Sequence, residues 1–160
     1  MKLKQTLLFL LLFTCTFTFA QEYKSAVGLR LGSPVSATYK TFLNESAAIE
    51  VYGSFKSYSS YSWFAISGAY QVHKDISEVD GLQWYYGGGL SIYFWSFDND
   101  FIGDFNSTSI GVNGYLGLEY TFDGTPISIS VDWVPTFFLN GFGDGFAGGF
   151  GSLAARYVLD

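Results

Sequence analysis

Residues 109 to 122, SIGVNGYLGLEYTF, change character at every second position. Ile110, Val112, Leu116, Leu118, Tyr120 and Phe122 fall on one side of an extended strand. Gly111, Asn113, Tyr115, Gly117, Glu119 and Thr121 fall on the other. The pattern predicts β structure, and it leaves one question: which side meets water. A soluble sheet would hide the Ile/Leu side, and a membrane barrel would display it.

The same alternation recurs along the chain. It predicts eight strands, at 25–31, 35–43, 47–56, 61–73, 82–95, 108–122, 126–137 and 147–159. The breaks are GSP, LNES, KSYSS, HKDISEVDG, SFDNDFIGDFNS, DGTP and LNGFGDGFAG, all rich in turn formers. One side of every predicted strand is uncharged. It runs from Val27, Leu29 and Leu31 through Leu90, Ile92 and Phe94 to Leu153, Tyr157 and Leu159. The other side carries Arg30, Lys40, Glu50, Gln71, His73, Gln83, Asn113, Glu119, Asp132 and Arg156, set among Gly, Ser and Ala.

A water-facing side should be dense in Lys and Glu. This one offers about one charge per strand, and its clear charges balance: Arg30, Lys40 and Arg156 against Glu50, Glu119 and Asp132. Sparse, balanced charge suits a narrow lumen, where each desolvated ion needs a partner. The apolar side then meets lipid, and closure of the sheet satisfies its backbone. The expected fold is all-β: an eight-stranded antiparallel up-and-down transmembrane β-barrel. The aromatics sort by height as interfacial girdles would. Tyr39, Tyr70, Trp84, Tyr86, Tyr120, Phe122 and Tyr157 lie toward one end, with Phe55, Phe64, Phe94 and Trp133 toward the other.

The first twenty residues, MKLKQTLLFLLLFTCTFTFA, have the parts of a secretory signal: Lys2 and Lys4, then an apolar core, then Thr18 and Ala20 before a cut at Gln21. The expected organisation is a leader at 1–20 and one barrel domain at 21–160. Cys15 lies in the leader, where Thr14 before it disfavours lipidation, so the mature chain has no cysteine. Of eight basic and fourteen acidic residues the leader removes Lys2 and Lys4, leaving a net charge near −8. That charge argues against nucleic acid as a partner. With both ends of the barrel in the periplasm, outer loops should be long and inner turns short. GSP and 73–81 fit that rule poorly.

AVGLRLGSPVSATYKTFLNESAAIEVYGSF, WYYGGGLSIYFW, GYLGLEYTFDGTPISISVDWVPTF and GGFGSLAARYVL together resemble a family of small outer-membrane β-barrel proteins from Bacteroidota. That family belongs to the broad OmpA/OmpX-like class of eight-stranded barrels. The resemblance runs from about Ala26 to Leu159. It implies outer-membrane lipid as the surroundings and the barrel-assembly machinery as a partner during biogenesis. The chain departs from the usual assembly signal by ending Tyr157-Val158-Leu159-Asp160 and not on an aromatic residue.

No cofactor, metal or catalytic set is expected. Asp98, Asp100 and Asp104 bear oxygen ligands for Ca²⁺, but Ile102 and the missing closing Glu break the spacing, so the segment reads as a solvated loop. His73 has no cysteine partner and no seryl nucleophile motif near it. NES at 44–46 and NST at 106–108 read as turn residues, and NGFGDGFAGGFG as a flexible loop whose Phe residues dip into lipid.

The expected role is that of a monomeric barrel with a closed polar lumen, structural or interacting through its outer loops, with the extracellular partner left open. The lumen charge network is Arg30, Lys40, Glu50, Glu119, Asp132 and Arg156. It predicts that Glu119→Ala destabilises the barrel more than Asp104→Ala. The alternatives are a narrow gated pore for ions or small solutes and a soluble lipocalin-like binder.

Overall fold

The computed structural model describes residues 23–97, 105–141 and 145–159. The leader with Cys15, the acidic loop 98–104 and the final Asp160 lie outside the described residues. Among the described residues ten strands form: β1 (Ser25–Ser33), β2 (Val35–Phe42), β3 (Ala47–Ser57), β4 (Tyr61–Asp75), β5 (Leu82–Phe97), β6 (Phe105–Thr121), β7 (Ile127–Trp133), β8 (Thr136–Phe138), β9 (Gly145–Ala147) and β10 (Gly151–Val158). They make one antiparallel sheet that closes on itself. Each strand from β1 to β6 pairs with the next, β7 and β8 both pair with β6, and β10 lies between β7 and β1. With β8 continuing β7 and β9 leading into β10, the wall has eight staves.

Closure is steeply sheared. One circuit through paired residues runs Tyr157, Val27, Tyr39, Val51, Gly68, Leu90, Val112, Phe137 and Phe146, returning to its own stave eleven residues from where it began. One of the eleven is a bulge. Trp133 pairs with Gly151 but Thr136 pairs with Ala147, so three residues, 148–150, oppose only Val134 and Pro135. Pro135 has no amide to give the ladder and sits in this irregular stretch, where a central proline is tolerated. The stagger tilts the strands, and with only eight staves the interior stays at a width that side chains fill.

Burial alternates along the staves and runs inside out. Leu90 on the outer surface is 60 % exposed, whereas Glu50 is 0 % and Arg156 1 %. The buried set is dominated by Ser, Thr, Gln and charged residues, and the exposed set by Leu, Ile, Val and aromatics. The outer surface is apolar over most of the height of the staves, with Lys74 near the terminal end of β4 as its charged exception.

The structure moves several strand ends. β4 runs to Asp75 and β5 to Phe97, beyond 73 and 95, and β6 begins at Phe105 and not at 108. The stave read as 126–137 is broken at Pro135, and 147–159 is broken by the bulge. The extension of β4 shortens the awkward 73–81 connection to 76–81, which folds as a compact turn tied by Ile76 N to Leu82 O at 2.9 Å and Val79 N to Ile76 O at 3.0 Å. β1 and β2 are joined through Pro34, so that connection is short as read. NES is a turn, in which Asn44 Oδ1 accepts from the amides of Ser46 and Ala47 at 3.0 and 2.8 Å. NST is not: residues 106–108 lie within β6.

Phe55 pairs with Phe64 and Phe64 with Phe94, a row of outward rings at the end away from the chain termini. Trp133 does not join them. It lies four residues before Phe137 on its stave, paired with Leu116. Its indole N–H donates to Gly148 O at 2.7 Å, a carbonyl offered by the bulge. In an apolar setting that donor needs such a partner.

Candidate functional site

Inward parity brings side chains from all eight staves into one column. The structure places Arg30, Lys40, Glu50, Glu119, Asp132 and Arg156 in it, all buried, and brings all six into contact as ion pairs.

Glu50 is the hub. Arg30 Nη1 donates to both its oxygens at 3.0 Å, and Arg156 Nη2 to Oε1 at 2.5 Å. Thr38 adds a hydroxyl at 2.6 Å and Gln71 an amide at 2.7 Å. The second fork of Arg30 reaches Asp132 at 2.7 Å, and Asp132 also accepts from Tyr85 and Ser152, each at 2.8 Å. Nearer the termini, Lys40 Nζ meets Glu119 Oε2 at 2.5 Å, and Tyr23 and Ser128 donate to Oε1 of the same carboxylate, both at 2.5 Å. A carboxylate taken out of water is stable only when cations and donors replace the water it lost, and each carboxylate here has both. Arg and Lys also lie against ring faces, Arg30 4.6 Å from the Tyr52 centroid and Lys40 4.8 Å from that of Tyr85.

Above the ions the lumen is hydroxyl and amide. Tyr52 and Tyr115 share a hydrogen bond of 2.6 Å, Ser67 and Ser91 one of 2.6 Å, and Asn113 contacts Ser91 and accepts from Thr136 at 3.1 Å. A cavity of about 20 Å³ beside Arg30, Ser36, Tyr52 and Phe150 has room for roughly one water. The far end is closed by Trp63, Tyr93, Trp95, Phe97 and Phe138, with Phe150 packed against them. Trp63 stands edge-on to Tyr93 at 5.1 Å, Tyr93 to Phe138 at 4.9 Å, and Trp95 Nε1 donates to Ser109 at 3.0 Å.

This aromatic layer extends the sequence reading, which set the lumen charges among Gly, Ser and Ala and placed Tyr115 alone of the inward rings on their face. Trp63, Tyr85, Tyr93, Trp95 and Tyr115 share the inward parity, and the signal was present in their spacing from Gln71, Gln83 and Asn113. Aromatics on both parities of YYGGGLSIYFW masked it. Phe150 is a correction: the bulge turns it into the lumen, while Phe146 stays 70 % exposed on the outside. His73 lies inside, stacked on Tyr85 at 4.8 Å and edge-on to Phe42 at 4.9 Å, where it is a packing residue of the polar column. Asp98, Asp100 and Asp104 fall outside the described residues.

A closed, sheared wall of eight staves with an apolar outside and an ion-paired interior defines the class: a small transmembrane β-barrel with a filled lumen. It reverses the arrangement of a lipocalin-like binder, which is polar outside and hollow. Among solved structures the chain is similar to Neisserial surface protein A (NspA), with a TM-score of 0.62 and 17 % identity over 84 % of this chain and 93 % of that one. It is also similar to the N-terminal β-barrel domain of Pseudomonas aeruginosa OprF, with a TM-score of 0.59 and 16 % identity over 82 % and 90 %. At such identities the likeness is one of fold. No protein-family model matches the chain, and no curated protein matches it either.

Proposed function

We propose that this chain is an outer-membrane barrel, exported through a cleaved leader at 1–20, whose lumen is closed and whose role is structural or interactive through the loops opposite its termini. The observation that supports this most is the occupancy of the lumen. Arg30, Glu50, Asp132 and Arg156 bridge it from four staves, and an aromatic layer covers them. An ion entering would have to part pairs buried away from bulk water, a cost of about 3–5 kcal/mol per pair. The resemblance of the sequence to small Bacteroidota barrels and the fold shared with NspA support the outer membrane as its place.

Planar-bilayer recording of the purified protein tests the closed lumen. Flat current traces are expected. Discrete, reproducible conductance steps would replace this reading with the gated pore.

A further inference from the structure

The outer wall is not uniform. A groove of about 410 Å³ crosses β5, β6 and β7, lined by Trp84, Leu116, Leu118, Val131 and Trp133. Trp84 pairs with Leu118, and Leu116 with Trp133, so the groove climbs from the terminal end toward the middle of the wall between two indoles.

At its lower end stands Lys74. It is exposed, it pairs in register with Trp84, and its Nζ lies 5.6 Å from the Trp84 ring centroid and 5.9 Å from that of Tyr86. Among the described strand residues it is the one charged side chain of outward parity, and it makes no ion pair with any described residue. A lysine at this height reaches the head-group level, where a lipid phosphate is the natural counter-ion. The turns beside it are acidic: Asp75 closes β4, Glu78 and Asp80 lie in the 76–81 turn, and Asp123 in the turn after β6, while Lys24, the other exposed lysine of this end, precedes β1 away from the groove. A head group arriving there meets one ammonium beside several carboxylates. A net anion is repelled by the carboxylates, and a choline cation has no N–H to donate to them. A phosphate carrying a primary ammonium satisfies both signs.

We propose that this part of the wall binds one ethanolamine phospholipid of the leaflet on the terminal side, its phosphate on Lys74 and one acyl chain in the groove between Trp84 and Trp133. The proposal rests on the membrane-spanning reading, and its test separates the two. Of the four tryptophans, Trp63 and Trp95 are buried in the lumen, so bromine on acyl chains reports on Trp84 and Trp133. The protein is reconstituted in phosphatidylcholine vesicles doped with brominated-chain phosphatidylethanolamine, phosphatidylglycerol or phosphatidylcholine.

The expected result is half-maximal quenching by the ethanolamine lipid at about fivefold lower mole fraction than by the other two. The three curves should merge in Lys74→Gln and separate again in Lys74→Arg. Merged curves for the native protein, a preference for the glycerol lipid, or a preference that survives Lys74→Gln would overturn the site. Absence of quenching by all three lipids would overturn the membrane reading itself.

Discussion

Glu50 holds two arginines, a threonine and a glutamine, and it is fully buried. Glu50→Ala should therefore lower the unfolding free energy by about 3–5 kcal/mol, since it leaves Arg156 buried without its carboxylate and Arg30 with Asp132 alone. Urea titration followed by the mobility of folded and unfolded bands measures it. Glu119→Ala should behave alike, because Lys40 is then left fully buried without its carboxylate. Asp123→Ala in an exposed turn serves as the control, and equal midpoints for the two would refute the network. Gly117 makes a different prediction. A Cβ there would lie 2.6 Å from Tyr85 Cζ and 2.7 Å from Val131 O, and the latter is ladder backbone that cannot step aside. Gly117→Ala should cost about 1–3 kcal/mol in the same titration.

At the scale of the elements, the bulge at 148–150 is where three features meet. It lets the barrel carry Pro135 in a central stave, frees Gly148 O for the Trp133 indole, and turns Phe150 inward against Trp63 and Phe138. Phe150→Ala should destabilise through the cavity it leaves, by less than the ~3–5 kcal/mol of a fully buried ring because Phe150 is half-buried. The ion layer beneath stays intact, so the variant should remain silent in planar bilayers. Conductance in Phe150→Ala would show that the aromatic layer, and not the ion pairs, closes the lumen.

These elements also show what the sequence could and could not tell. Strict alternation from Ile110 to Phe122 assigns every side chain to a face, because a strand has only two. It says nothing of which charges meet. Lys40 and Glu119 lie 79 residues apart and touch only because shear and closure bring β2 and β6 together across the lumen. The bulge was illegible for a related reason. Gly148 and Gly149 carry no face preference, so a shift of one residue leaves no trace in the pattern. Lys74 escaped because HKDIS reads as a turn, and only pairing with Trp84 shows that β4 continues through it.

For the molecule as a whole, the central statement is that the Ile/Leu/Val surface meets lipid and the charged surface meets itself. A soluble protein of this size would reverse those two surfaces. The most direct test is to express the full chain in a Gram-negative host, separate outer membranes from the soluble periplasm, and compare boiled with unboiled samples in SDS gels. A band in the outer-membrane fraction whose mobility changes on boiling is the predicted result, as a closed hydrogen-bonded wall resists SDS until heated. A soluble periplasmic band of equal mobility in both lanes would contradict it, and would mean that the face carrying Ile110 to Phe122 is covered by protein and not by lipid.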